Sequence, residues 1–188
     1  KLTMTAVARR ASCSKETLYK WFGDRDGLLV ATVQRQASQV RAAPVDRATL
    51  DLRTLRASLE RFAADWLRVI SSPTSVALNR LAVGQAGTDR HDLGRIVLEN
   101  GPAALRERLR PLLDLSREAG LLRAADADEA FATFFGLVVR DTQIRSLLGD
   151  RSPTEAENDR AARRATQQFL VLHGTDPTGS AATPPEQH

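Results

Sequence analysis

The chain has 188 residues, 42% of them apolar, enough to bury a core and compatible with one or two domains. It carries no apolar run of the ~20 residues that cross a bilayer, no secretory signal and a single cysteine, Cys13; this excludes a membrane span and an internal disulfide framework, and makes the cytoplasm the expected compartment. Net charge is only +4, but residues 1–42 hold eight basic against three acidic residues, so the whole excess lies at one end. That asymmetry suits a polyanion-binding module joined to a neutral body, and also an ordinary solvated surface.

In chain order the sequence reads as helices joined by short turns, without strand-like alternation. Thr3 can cap a helix over about 4–11, Ser14 a second over about 15–21, and Asp24 a longer one running to about Ala42 before Pro44. Leu52, Leu55, Leu59, Phe62, Trp66 and Val69 recur at three- and four-residue steps, one apolar stripe on a long helix that ends before Pro73. A helix over about 74–86 follows, and Asp89 can start the next, with Leu93, Ile96 and Val97 inward. Gly101-Pro102 is expected to interrupt it, with Pro102 opening a helix that closes at Gly120. Asp126 and Glu129 spell a capping box for a helix continuing to Leu148, with Gly149 as its stop. Ser152-Pro153-Thr154-Glu155 repeats the box for a last helix to about His173. From Thr175 the composition is that of a disordered tail.

The second short helix carries the functional signal. On a helical wheel Leu18, Trp21 and Phe22 share one arc, while Lys15, Glu16, Tyr19 and Lys20 share the other. A helix lying in a major groove needs this division, because one side packs on its partner and the other meets phosphates and base edges. The chain has only three lysines, and Lys15 and Lys20 flank this helix. Val7, Ala8 and Ala11 offer the preceding helix a small-residue packing face.

The run from Thr3 to Phe22, followed by Asp24-Arg-Asp-Gly-Leu28, resembles the DNA-binding signature of the TetR family of repressors. The resemblance implies that Thr3, Tyr19 and Lys20 contact phosphate, and that Lys15, Glu16 and Thr17 lie nearest the base edges. Leu18 and Phe22 would hold the helix down, and Ser14 and Arg25 complete the expected DNA-binding set. Three positions depart from the pattern. Ser12 replaces the turn glycine, so the turn is expected to be slightly strained. Cys13 replaces a valine and reads as its buried substitute, a redox-sensing thiol being the sharper alternative. Trp21 replaces a histidine and reads as core, with stacking on a sugar-phosphate edge as the alternative. The family also places a helix before Thr3, where only Lys1 and Leu2 stand here; the head is expected to be loose and to bind DNA poorly unless that helix is restored.

Leu93 to Gly149 is similar to the C-terminal domain of AefR-like TetR regulators, on Glu99-Asn-Gly-Pro102, Gly120-Leu-Leu-Arg before Asp126, and Phe-Phe-Gly-Leu leading to Leu147-Leu148-Gly149. The expected fold is therefore all-α. It comprises an N-terminal helix-turn-helix DNA-binding domain with a connecting helix over 1–43, a helical effector-binding and dimerisation domain over 49–174, and the tail over 175–188. The resemblance implies a homodimer through the last two helices, where Ala161, Ala162 and Ala165 would permit close contact, a double-stranded DNA operator, and a small-molecule effector of unknown identity. Phe62, Trp66, Phe134 and Phe135 are candidates for an effector pocket or plain core. Arg80 and the Arg140-Asp141 pair could hold a ligand's polar end or form salt bridges.

Nothing in the sequence points to catalysis: there is no Gly-x-Ser-x-Gly, no phosphate loop and no His/Cys cluster at metal spacing. No cofactor or metal is expected. The leading function is a repressor released from a near-palindromic operator by a small molecule. The competing one is a helical binding protein or enzyme that keeps a vestigial DNA-binding head.

Overall fold

The computed structural model describes residues 3–44, 46–86 and 92–175. The expected helix start at Asp89 and tail positions 176–188 lie outside them. Three short helices open the chain: α1 (Met4–Arg10), α2 (Lys15–Phe22) and α3 (Arg25–Ala37). Each begins on the foreseen cap, the side chains of Thr3, Ser14 and Asp24 accepting the amides of Ala6, Thr17 and Gly27 at 3.2, 3.0 and 2.8 Å. Met4, Ala8 and Leu18 form the small buried cluster between α1 and α2, with Cys13, half-buried, packed against it.

The turn after α1 is a Schellman closure. Cys13 N–H donates to Ala8 O and Ser12 N–H to Arg9 O, with Ser12 at a left-handed φ of 52°. α7 closes in the same way around Gly120 (φ 70°). The strain expected of Ser12 is therefore present, because a Cβ occupies a backbone conformation that suits glycine.

The body consists of α4 (Leu52–Ile70), α5 (Pro73–Gln85), α6 (Asp92–Leu98), α7 (Ala104–Glu118), α8 (Ala127–Val139), α9 (Thr142–Leu147) and α10 (Glu155–His173). α4 buries Leu55, Leu59, Phe62, Trp66 and Val69, the stripe read from the sequence. It packs chiefly on α10, whose Ala162, Ala165 and Phe169 are buried inside the chain's own core. Two of the three small residues assigned to a dimer contact thus serve α4 and α8.

Five boundaries differ from expectation. α3 stops at Ala37, not Ala42: the Ser38 hydroxyl turns back to Arg35 O, and Arg108 of α7 donates to the carbonyls of Ala37 and Val40. Gly101-Pro102 does not interrupt its helix; α6 runs into α7 through a π turn, Glu99–Ala103. The helix expected to reach Leu148 breaks at Arg140, φ 44°, and restarts as α9, whose last carbonyls, on Ser146 and Leu147, accept from Arg80 at 2.9 Å each. The second capping box lies two residues later, between Thr154 and Glu157. Thr175, assigned to the tail, is fixed: its N–H donates to Leu121 O and its hydroxyl to Gly120 O.

Candidate nucleic-acid interface and ligand cavity

On α2 the division read from the wheel is realised for most positions. Leu18 is 3% exposed, Phe22 is half-buried, and Lys15, Glu16 and Lys20 face outward with Tyr19 at 47%. Thr17 is half-buried and shares a hydrogen bond with Ser14 Oγ at 3.1 Å. The Glu16 carboxyl is held below its ordinary range, first by its own backbone N–H and then by the Ser14 hydroxyl, so it stays anionic beside Lys15. Trp21 is the exception. It is 65% exposed and touches Phe22 edge-on at 6.3 Å, so it is not core. Thr3 lies exposed at the start of α1, and Arg25 opens α3, half-buried and 3.8 Å from Asp26. Lys15, Glu16, Tyr19, Lys20 and Trp21 are therefore all exposed on a single helix, Trp21 to one side of the polar arc.

α3 meets α2 closely. A Cβ built on Gly27 would stand 1.9 Å from Phe22 O, so the glycine in Asp24-Arg-Asp-Gly-Leu28 is required by backbone contact. The other end of α3 is clamped to the body. Asp65, 3% exposed, accepts from Arg41 N–H at 3.3 Å, Arg41 Nε at 3.2 Å and Arg68 Nη1 at 2.7 Å. Burial pushes the Asp65 carboxyl upward, but the hydrogen bonds from Arg41 and Arg68 outweigh it and leave it below the usual carboxylate range.

Behind α3 lies a cavity of about 190 Å³. α3 supplies Val33, Gln36 and Ala37, and the π turn supplies Gly101 and Pro102. Trp66 and Phe135, 5.3 Å apart between ring centres, form an aromatic wall. Of the five residues proposed for a pocket, these two line it. Phe62 and Phe134 are fully buried elsewhere in the core, Phe134 against Phe169, and Arg80 caps α9 outside the lining. Asp141 pairs with Arg145 at 3.6 Å.

Sequence reasoning missed the polar lining, Gln36, Asn79 and Gln143, and the clamp residues Asp65 and Arg108. Gln36 and Asp65 each interrupt an apolar stripe, between Val33 and Ala37 and between Phe62 and Val69; this was the available signal. Asn79 and Gln143 are joined only by the tertiary fold, Gln143 Nε2 donating to Asn79 Oδ1 at 3.1 Å.

These features define a protein of the helix-turn-helix class, with a short polar-faced helix tied through a connecting helix to a cavity-bearing helical body. The sequence model of the AefR-like transcriptional repressor C-terminal domain matches residues 57–175. The chain belongs to the TetR family of transcriptional regulators. It is similar to a TetR transcriptional regulator from Agrobacterium tumefaciens at 44% identity and a TM-score of 0.76, over 93% of this chain and 85% of that one. The flavonoid-responsive regulator FrrA matches at 27% identity and a TM-score of 0.69, over 92% and 87%. A TetR-family regulator from Mesorhizobium loti shares the fold at 23% identity and a TM-score of 0.71, over 93% and 87%. No curated protein matches the chain.

Proposed function

We propose that the chain is a cytoplasmic, ligand-released repressor that binds a near-palindromic operator as a homodimer. Its DNA-binding head would span residues 1–43 and its effector-binding and dimerisation body residues 49–174. The observation that carries the reading is that α3 takes part in both ends of the mechanism: Gly27 packs it on α2, and Val33, Gln36 and Ala37 form a wall of the cavity. A ligand filling that cavity would displace the helix that positions the reading surface. Operator DNA would weaken ligand binding by the same factor, as linkage requires.

In this reading Thr3, Tyr19 and Lys20 hold phosphates, with Ser14 and Arg25 supporting them, and Lys15, Glu16 and Thr17 face base edges. Trp21, exposed, would stack on the sugar-phosphate edge. Two copies joined through α8 and α10, the last two long helices, would set the reading helices ~34–36 Å apart, one turn of DNA, which makes a near-palindrome the expected operator. FrrA, a similar regulator, is described as flavonoid-responsive, which supports a small organic effector here.

Gel-shift titration against DNA flanking the gene tests the reading. Tyr19→Ala and Lys20→Ala should weaken binding to every sequence and make it less salt-dependent, while Lys15 and Thr17 substitutions should change sequence preference. An unchanged affinity and salt slope for Lys20→Ala would refute this placement of α2.

A further inference from the structure

The cavity behind α3 has a chemistry more specific than "small molecule". Among the described residues that line it none is charged, although 27% of the chain is. A carboxylate or ammonium entering it would lose its water and meet no counter-ion, which disfavours ionic ligands strongly. The walls are the rings of Trp66 and Phe135 and the aliphatic groups of Val33, Leu78 and Pro102. At about 190 Å³ the space is below the ~300–1,000 Å³ of drug-sized sites, so it suits two fused rings.

The amides around it are not equivalent. Asn79 is committed on both sides, its Nδ2 donating to Ser75 O at 2.8 Å and its Oδ1 accepting from Gln143. Gln143 uses its nitrogen in that bond and retains its amide oxygen as an acceptor. Gln36 uses its oxygen to accept from Ser72 Oγ at 3.2 Å and retains its amide hydrogens as donors. Gln143 Oε1 and Gln36 Nε2, on different helices, are thus the amide atoms of the lining that no side chain or backbone group among the described residues engages, an acceptor and a donor that a ligand with the complementary pair would satisfy.

We propose that this cavity binds an uncharged, flat, bicyclic molecule that donates a hydrogen bond to Gln143, accepts one from Gln36 and lies against the wall formed by Trp66 and Phe135. The proposal rests on the reading of this cavity as the effector site and narrows it to a ligand class.

Calorimetry on the whole chain tests it with three probes: 7-hydroxycoumarin, at a pH that keeps its hydroxyl protonated; its 3-carboxylate derivative; and naphthalene. The hydroxycoumarin should bind, and the carboxylate should bind at least about a hundredfold more weakly. Gln36→Leu and Gln143→Leu should each weaken the hydroxycoumarin about threefold to tenfold. Both should leave naphthalene binding intact, which also shows that the variants are folded. Comparable binding of the carboxylate, no binding of the hydroxycoumarin, or an affinity unmoved by both glutamine changes would overturn the proposal. Gel shifts with the same probes separate it from the regulatory reading. Hydroxycoumarin that binds in this pattern without releasing DNA refutes release by this cavity and leaves the ligand class standing. Release by the carboxylate alone refutes the ligand class only.

Discussion

Two backbone positions in the first thirty residues set how well α2 is held. Ser12 and Gly120 occupy the same place in the same helix-closing motif, yet only Gly120 does so without a side-chain penalty. Ser12→Gly should therefore stabilise the protein by about 0.5–1 kcal/mol, the relief of the left-handed φ less the extra chain entropy of glycine. Gly27→Ala should act the other way. Its Cβ would overlap Phe22 O, a backbone atom that cannot rotate aside, so a loss of about 1–3 kcal/mol is expected, together with weaker DNA binding. Urea unfolding of both variants, read alongside their gel shifts, checks the pair. An alanine variant as stable as the parent would mean that α2 and α3 are less closely joined than described.

At the scale of elements, the clamp at the end of α3 makes a prediction in pH. The folded carboxyl of Asp65 lies below its unfolded value of about 3.9, so the unfolded chain binds the proton first as pH falls. Its contribution is then fully present above about pH 5 and disappears as pH drops through the folded value. Asp65→Asn should lower stability near neutral pH by about 2 kcal/mol and flatten the acid limb of the stability profile. A variant with an unchanged acid limb would show that other carboxylates carry that limb. The clamp also marks where elements were legible in the sequence. Local rules placed α1, α2, the start of α3 and the stripe of α4, because caps and periodicity act within a few residues. They misplaced the end of α3 and the α8–α9 break because neither has a glycine or proline to signal it. Arg108, distant in sequence, takes up the carbonyls at the end of α3, and the α8–α9 break falls on Arg140, a residue with no local signal for its positive φ. The cavity was half-legible for the same reason: aromatic stripes named Trp66 and Phe135 but could not separate them from Phe62 and Phe134, which the tertiary packing buries in the core, Phe134 against Phe169 of α10.

For the whole molecule, the proposed dimer has a selective test on α8. Gly136 faces outward with no atom within 4 Å of where its Cβ would lie, and Ala132, one turn earlier, is also exposed. Gly136→Arg should leave the monomer as stable as before or slightly more so, since arginine is the better helix former. It should shift the mass measured by light scattering from twice 20.6 kDa to the single chain, with a parallel loss of operator affinity. A variant that stays dimeric would exclude this face of α8 from the interface. The π turn at Glu99–Ala103 has a consequence for how the two halves of its long helix are phased. Leu93 and Ile96 point inward before it, and Leu105, Leu109 and Leu112 after it. An uninterrupted α-helix would bring the first face round again near 104, 108 and 111, so every later leucine arrives one residue late, a lag of ~100° that the wider turn absorbs. Deleting Gly101 would put both stripes on one continuous face and withdraw the bulge that, with Val33, lines the cavity. That part of the cavity wall is thus the visible form of a single surplus residue, and a one-codon deletion would be enough to remove it.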